Sequence, residues 1–402
     1  MEEQSKSPWQ IWKESLKNKE PQFWDALSGN ADKASEELAD SRYEICKSCP
    51  EFIGLTKQCK KCGCFMNVKT KLKHADCPIH KWDIEKILVS VVNYCDPEFY
   101  ETIKSLWDNA SNKDRLIFSI VSQDIEKHNF DFIPTNQLIY RYFDMSKWVG
   151  GICAARNLAV DVNVEYEYFI QFDSHTIATE GWDSKSIRLY RSLGDQDKYI
   201  VSSGTPSYVR NQEGHIETGM GDIWGNRAVP SDHIVPGFFF PYYAAMQEKE
   251  KVEGFWITCL FLIAPYEWVK EVGISKDSSY NTEEFNLSLR SHAKGWKIFN
   301  KGHRVVFHQW HDQNIAIETR RNKRPWADKF TEEYWKHAEK ATNFTGRLIA
   351  GLEDVPLDKV KSFFKLANIN EKYCENPDNY YNILDQTKID NKHIGMPPRF
   401  PK

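Results

Sequence analysis

Short apolar runs of strand length alternate with helical segments in the first half of the chain. The runs that we interpret as buried strands are residues 87–94, 116–121, 138–143 and 168–172. Helices are predicted between them, at 97–110 behind a capping Asp96 and again at 151–160. This repeated order of strand, helix and strand predicts an α/β fold with a mostly parallel central sheet flanked by helices.

The same alternation continues in the second half of the chain. Further strands are predicted at 198–202, 255–264 and 304–309, with helices at 182–193, after Pro265 and at 283–294 behind a capping Thr282. Between them, residues 204–236 form a long polar segment of the kind that builds lids or binding walls. We divide the chain into N-terminal helices with a cysteine-rich module at 1–83, the sheet domain at 84–318 and a charged helical extension at 319–402.

Composition sets limits on this picture. Hydrophobic residues make up 41% and charged residues 27% of the 402 positions, which is ordinary for a soluble globular protein. The net charge of -4 excludes a generally basic nucleic-acid binder. No apolar run reaches the roughly 18 residues of a membrane span, and the N-terminus lacks the basic start and apolar core of a secretory signal. We therefore expect a cytoplasmic protein with no membrane partner.

The predicted strand at 168–172 ends in three polar residues, Asp173, Ser174 and His175. In open α/β sheets, ligands bind beyond the carboxyl ends of the strands. Asp173 and His175 alternate with Ser174, so in an extended chain both side chains point to one side. A carboxylate oxygen and an imidazole nitrogen suit Mn²⁺ or Mg²⁺ holding a diphosphate. The alternative is a plain turn in which Asp173 caps the next segment and His175 is polar surface.

A cysteine cluster forms the second candidate metal site. Six of the ten cysteines lie close together, at Cys46, Cys49, Cys59, Cys62, Cys64 and Cys77. Two Cys-x-x-Cys pairs about ten residues apart have the ligand spacing of a Zn²⁺ site, and a reducing compartment disfavours disulfides. The two pairs are the simplest ligand set, but Cys64 and Cys77 could replace one pair or share a second ion. His74 and His80 are further candidates.

Basic residues surround the cysteines. Nine of them lie in this stretch: Arg42, Lys47, Lys57, Lys60, Lys61, Lys69, Lys71, Lys73 and Lys81. Three acids, Glu44, Glu51 and Asp76, leave an excess of six positive charges. Such a patch could lie along a phosphate backbone. It could equally be the solvated surface of a structural zinc module.

The order of motifs from Ile87 to Trp310 resembles the GT-A fold glycosyltransferases. The chain looks most like cytoplasmic hydroxyproline N-acetylglucosaminyltransferases, and around Asp173-Ser174-His175 it is also similar to polypeptide N-acetylgalactosaminyltransferases. The matching motifs are Asp96-Pro97 after the first strand, Gln171 to His175, Gly181-Trp182-Asp183, Thr282-Glu283-Glu284 and Gly295-Trp296. The chain departs from the pattern at Thr282, where a glycine usually precedes the paired glutamates. Residues 5–82 resemble a cysteine-rich unit of tailed-phage proteins that ends in Cys-Pro-x-x-Lys-Trp.

The resemblance implies a metal-dependent glycosyltransferase that uses a nucleotide sugar, with a UDP-linked hexose, N-acetylhexosamine or pentose as the expected donor. The expected ligands of the cation are Asp173, His175 and His308. Ser90, Asn93 and Asp124 are expected to contact the nucleotide, and Arg156 to contact the diphosphate or a carboxylate. The residues expected to act in catalysis are Glu283, Glu284 and Asp173. His303 and His311 compete with His308. The structural alternatives are a surface ion pair for Arg156, acids favouring a helix dipole for Glu283 and Glu284, and a core position for His308.

The acceptor is open. A phage-like module with a basic face favours a hydroxymethylated base in phage DNA, which would place the protein in the host cytoplasm. A hydroxyl on a protein or glycan is the competing acceptor. A non-catalytic, zinc-containing binding or scaffold protein is the alternative from a different class.

Overall fold

The computed structural model describes residues 33–374, except for 35, 73–74, 80, 83–84, 145–146, 148, 195–196, 211–214, 219–222, 231–241, 280–281 and 310–330. The chain divides into two compact units, Met1–Ile84 and Glu85–Lys402. Several predicted features lie outside the described residues: the helices before residue 33, the residues Lys73, His74, His80 and His311, and residues 319–330 and 375–402 of the C-terminal extension. Within the described ranges, no helix combines the length and the apolar character that crossing a bilayer requires.

The elements follow one another in a clear order. The α-helices are α1 (Glu36–Lys47), α2 (Met66–Lys69), α3 (Phe99–Asp108), α4 (Gly151–Val160), α5 (Trp182–Arg191), α6 (Tyr266–Glu271), α7 (Glu283–Ala293), α8 (Thr331–Ile349) and α9 (Leu357–Ala367). The strands are β1 (Phe52–Ile53), β2 (Gln58–Cys59), β3 (Ile87–Tyr94), β4 (Leu116–Asp124), β5 (Leu138–Asp144), β6 (Tyr168–Asp173), β7 (Thr176–Ala178), β8 (Tyr199–Ser202), β9 (Tyr208–Arg210), β10 (Ile216–Thr218), β11 (Asn226–Val229), β12 (Tyr242–Ala245), β13 (Lys251–Gly254), β14 (Phe261–Pro265), β15 (Lys297–Lys301) and β16 (Val306–His308). Three 3₁₀ turns lie at Lys113–Arg115, Thr135–Gln137 and Glu371–Cys374.

The first unit is small, and much of its core consists of cysteine. Helix α1 is followed by the antiparallel hairpin of β1 and β2 and by the single turn of α2. Its buried cluster is formed by Cys46, Cys59, Cys64, Met66, Cys77 and Trp82. A core with so few large apolar side chains gives little hydrophobic stabilisation.

The second unit is built on an eight-stranded sheet with the order β13-β15-β8-β14-β6-β3-β4-β5. Strands β6, β3, β4 and β5 run parallel, as do β8 and β15. Strand β14 runs antiparallel between β6 and β8, and β13 pairs antiparallel with β15 at the edge. The predicted α/β class with a mostly parallel central sheet is therefore confirmed.

The register brings the carboxyl ends of three strands together. Val92 pairs with Asp173, and Asn93 pairs with Ser122, so β6, β3 and β4 end side by side. Strand β3 is apolar on both faces because both faces are covered: Val91 packs in one core cluster and Leu88 in another. Polar side chains therefore become available only where these strands leave the sheet.

The Gly-Trp-Asp motif supports the strand that carries Asp173. Gly181 adopts a left-handed conformation with φ of 67° at the start of α5, which glycine tolerates without strain. Trp182 is fully buried, and its ring lies edge-on against Phe172 at 5.2 Å. Asp183 is fully buried and pairs with the buried Arg115, at 3.0 Å between Oδ2 and the guanidinium. This motif is thus structural.

Some predicted boundaries are wrong. The strand predicted at 255–264 begins only at Phe261. Helix α3 begins at Phe99, two residues after Pro97, so Asp96 is not its cap. Thr282 lies at the N-cap position of α7 but makes no capping hydrogen bond with its side chain. Where described, the long polar segment at 204–236 contains the short strands β9, β10 and β11.

Candidate active site

Asp173, His175 and His308 converge at the carboxyl edge of the sheet. Asp173 ends β6, and His308 ends β16, which pairs antiparallel with β7 so that His308 lies opposite Thr176. One ligand atom from each of the three side chains lies within 4.8 Å of the others. His308 Nε2 is 3.2 Å from Asp173 Oδ2, and the two imidazole rings are 4.4 Å apart between centroids.

The donor set of these three residues fits a divalent cation. Adjacent ligands of an octahedral ion with bonds of about 2.1 Å lie about 3 Å apart, which matches the separation of His308 Nε2 and Asp173 Oδ2. One carboxylate and two imidazoles leave further octahedral positions for phosphate oxygens, and mixed oxygen and nitrogen ligands suit Mn²⁺. Among the described residues this is the single group of three or more His, Cys, Asp or Glu ligand atoms at such distances.

Arg156 links two carboxylates from different elements. It is 2% exposed, and its guanidinium donates to Asp173 Oδ1 at 2.7 Å and to Glu283 Oε2. The surface-pair alternative for Arg156 is therefore wrong. Burial alone would raise the pKa of Asp173, but the hydrogen bond from His308 and the charge of Arg156 hold it well below its usual range. Asp173 is thus ionised at every physiological pH.

The two adjacent glutamates of α7 face different partners. Burial raises the pKa of Glu283, against the lowering effect of Arg156. Glu284 accepts hydrogen bonds from Trp256 Nε1 at 3.1 Å and from the backbone N–H of Cys259 at 2.9 Å. Burial raises the pKa of Glu284 to about 7, although both donors lower it. Glu284 can therefore gain or lose a proton near neutral pH.

Asn93 and Asp124 lie together at the ends of β3 and β4. Asn93 Nδ2 donates to Asp124 Oδ2 at 2.8 Å, and the same oxygen lies 3.1 Å from Nε2 of His128. His128 was not found from the sequence, because it lies in a loop without a strand-end pattern. Ser90 is fully buried in the middle of β3, three residues before Asn93. Its placement there corrects the expectation that it contacts the nucleotide.

Two other side chains depart from their expected places. His303 is buried with its ring 4.3 Å from that of Phe261, and burial lowers its pKa to about 3, so it is a neutral core histidine. Asp96 contacts the site directly: its Oδ2 accepts a hydrogen bond from His175 Nδ1 at 2.7 Å. The sequence analysis noted Asp96 only as a helix cap and as part of the motif after the first strand, not as a contact of His175.

In the first unit, four of the six clustered cysteines share one cavity. The cavity is lined by Cys46, Cys49, Cys59 and Cys77, with Met66 and Trp82 beside them. Trp82 Nε1 donates to Cys46 Sγ at 3.2 Å. Within the described residues, no three of the sulfur atoms lie within 4.8 Å of one another.

Neighbouring thiols shift the pKa values of two cysteines of this cavity, Cys59 and Cys46. A hydrogen bond from the Cys62 thiol lowers the pKa of Cys59 to about 6 despite burial, helped by backbone N–H groups of Lys61 and Cys62. Burial raises the pKa of Cys46, and the neighbouring thiolates raise it further. The lowered pKa of Cys59 favours its thiolate, which is the form that binds a metal.

Comparison with known proteins defines the class of the second unit as a glycosyltransferase. Residues 135–343, just over half of the chain, match the family model described as Glycosyltransferase (GlcNAc). The chain belongs to this GlcNAc glycosyltransferase family and is an enzyme of that class. No curated protein sequence matches the chain.

Solved glycosyltransferase structures are similar to the chain at a low level. A structure of GalNAc-T7 with UDP, GalNAc and Mn²⁺ has 13% identity and a TM-score of 0.42, covering 79% of this chain and 60% of that chain. A structure of Staphylococcus aureus TarS 1-349 in complex with UDP-GlcNAc has 13% identity and a TM-score of 0.42, covering 76% of this chain and 77% of that chain. The chain thus spans about three fifths of the length of the GalNAc-T7 chain that it matches.

Glu284→Gln should change how stability depends on pH. Burial raises the pKa of Glu284 from the ordinary 4.5 to about 7 in the folded protein, so the stability that its protonated form contributes is complete below about pH 4.5 and is lost as the pH rises to about 7. The free energy of unfolding of the variant minus that of the wild type should be about 2 kcal/mol larger at pH 8 than at pH 5. Denaturant unfolding at both pH values measures this, with the exposed Glu101→Gln as the control. An equal difference at both pH values would contradict the shifted pKa.

Proposed function

We propose that the chain transfers a sugar from a UDP-linked donor to a hydroxyl acceptor, with a divalent cation held by Asp173, His175 and His308. The observation that carries the proposal is the convergence of these three ligand atoms within 4.8 Å at the carboxyl edge of the sheet. Asn93 and Asp124 lie at the carboxyl ends of β3 and β4 and would contact the nucleotide there. Membership of the GlcNAc glycosyltransferase family supports the reaction class.

We assign a different role to the cation, to Arg156 and to Glu284. A bound Mn²⁺ or Mg²⁺ supplies charge neutralisation for the departing diphosphate. Arg156 holds Asp173 and Glu283 in fixed orientations. Glu284, whose pKa is close to 7, is the carboxylate able to orient or deprotonate an acceptor hydroxyl, or to stabilise positive charge on the sugar.

Asp173→Ala should abolish use of the donor. We expect the purified wild-type protein, incubated with Mn²⁺ and one UDP-sugar at a time, to release UDP slowly from at least one of these donors even without an acceptor. Loss of cation binding removes several kcal/mol of transition-state stabilisation, so the variant should be at least about 10³-fold slower. The exposed Asp161→Ala, on the capping residue of α4, is the matched control and should keep wild-type activity. Unchanged UDP release by Asp173→Ala would overturn the proposed site.

For the first unit we propose one structural Zn²⁺, bound by Cys46, Cys49, Cys59 and Cys77. These four cysteines line one cavity, and four thiolates closing around an ion would form a tetrahedral site of the structural type. The Trp82 N–H bond to Cys46 Sγ satisfies a sulfur that would carry charge. The resemblance to the cysteine-rich unit of phage proteins supports a module of this kind.

Cys46→Ser should remove the zinc, whereas Cys64→Ser should retain it. Cys64 is buried to the same extent as Cys46 but does not line the cavity, so the two variants are matched. Elemental analysis should find one zinc per chain in the wild type and in Cys64→Ser. Zinc loss in Cys64→Ser would show a different ligand set, and a wild type without zinc would contradict the site.

The acceptor that we propose is DNA carrying hydroxymethylated bases. Lys57, Lys60 and Lys61 lie in or directly after the β1–β2 hairpin and are exposed. Lys47, Lys71 and Lys81 of the same unit are also exposed. Arg42 does not belong to this surface, because it is 7% exposed, donates to Leu72 O at 2.9 Å and lies over the Trp82 ring at 5.2 Å. A protein hydroxyl, including hydroxyproline, or a glycan is the second candidate, supported by the family resemblance.

DNA binding through this surface should weaken steeply with salt. Each phosphate contact contributes about -0.9 to the slope of log K against log salt. Replacing Lys57, Lys60 and Lys61 by alanine should make that slope shallower by about 2 to 3 in a gel-shift titration. Alanine at Lys359, Lys361 and Lys365, three exposed lysines of α9, is the matched control and should leave the slope unchanged. A flat salt dependence in the wild type would favour the protein or glycan acceptor.

A further inference from the structure

Asp96 holds the loop that carries His175. Its Oδ2 accepts a hydrogen bond from His175 Nδ1 at 2.7 Å and another from Ser174 Oγ at 3.0 Å. The Asp96 side chain is 12% exposed and that of His175 is 23% exposed. The contact is therefore largely shielded from water and joins the end of β3 to the residues that follow β6.

The bond to Asp96 determines which nitrogen of His175 is available. A carboxylate only accepts hydrogen bonds when ionised, so Nδ1 of His175 must carry the proton. The lone pair then lies on Nε2, the remaining ring nitrogen and the one free to bind a cation. A carboxylate behind a metal-binding histidine fixes its tautomer and ring orientation and raises its basicity.

Asp96 is itself fixed in place. Its backbone N–H donates to Asn93 Oδ1 at 3.0 Å, and its Oδ1 accepts from the backbone N–H of Glu98 at 2.9 Å. Both carboxylate oxygens are thus engaged, one by the local turn and one by His175. Because α3 begins at Phe99 and has no side-chain cap, a capping role does not account for this acid.

The backbone on either side of His175 is held by α3. Thr102 Oγ1 donates to the carbonyl of Ser174 at 2.8 Å and accepts from the N–H of Thr176 at 2.9 Å. One turn later, Ser105 Oγ accepts from the N–H of Ala178 at 2.9 Å. Thr102 and Ser105 therefore position the main chain, while Asp96 contacts the imidazole itself.

We infer that Asp96 is a positioning residue for the cation site: it selects the Nδ1–H tautomer of His175 and aims Nε2 toward Asp173 and His308. The inference rests on the proposed function, since it assumes a cation at those three residues. Partners of this kind change metal affinity by about 10- to 100-fold when they are removed.

The test measures Mn²⁺ binding by calorimetry on the full chain without nucleotide. Asp96→Ala should raise the Kd for Mn²⁺ about 10- to 100-fold, and Asp96→Asn, which keeps the shape, should lie between it and the wild type. Asp108→Ala, an exposed acid at the end of α3, is the control and should bind as wild type. Thermal unfolding identifies any variant that fails to fold, in which case Asp96→Asn alone decides.

A second readout separates positioning from general stability. Nitrogen-15 NMR of the His175 ring, without metal, should show the Nδ1–H tautomer in the wild type and a mixture in Asp96→Ala. Thr102→Val, which loosens the same loop through its backbone, should leave the tautomer unchanged. An unchanged tautomer and unchanged Kd in both Asp96 variants would overturn the inference.

Failure of the two proposals can be told apart. If the wild type binds Mn²⁺ and Asp173→Ala does not, the cation site stands, and wild-type binding by the Asp96 variants would remove the role of Asp96 alone. If the wild type binds no Mn²⁺, the proposed cation site and the inference fall together.

Discussion

The candidate site depends on one buried cation, the guanidinium of Arg156. A buried charge without partners is costly, so Arg156 requires both Asp173 and Glu283 beside it. Those partners come from β6 and α7, while Arg156 itself lies on α4. The electrostatic requirement therefore fixes how these three elements lie relative to each other, and with them the face on which donor and acceptor would meet.

The same surroundings give neighbouring carboxylates opposite properties. Asp173 accepts hydrogen bonds from a guanidinium and an imidazole and stays ionised, whereas the hydrogen-bond donors to Glu284 are neutral and its neighbour Glu283 raises its pKa. Environments that push the pKa values of two acids apart are typical of sites in which one group binds charge and the other moves a proton. Here the difference is produced by the partners that each acid contacts, since both acids are only partly exposed to water.

The sequence correctly predicted the limits of elements whose residues give a clear local signal. Strand β3 and helix α4 have the predicted limits, because β3 is buried on both faces and α4 begins at a glycine pair. The strand predicted from residue 255 failed for a physical reason: the N–H groups of Ile257, Thr258 and Cys259 bond to side chains instead of a neighbouring strand. Asp96 could not be placed at His175 from the sequence, since 79 positions separate them and their contact depends on the pairing of β3 with β6.

The antiparallel placement of β14 has a consequence for the growing chain. Strands β3 to β6 can pair as soon as they are synthesised, but the free edge of β6 is covered only when β14 follows some 90 residues later. Until then, a long apolar edge with unpaired backbone groups faces the surroundings, which is the form of surface that invites pairing with other chains. The nascent protein is thus most exposed to aggregation between these two stages of translation, when a chaperone would have most to protect.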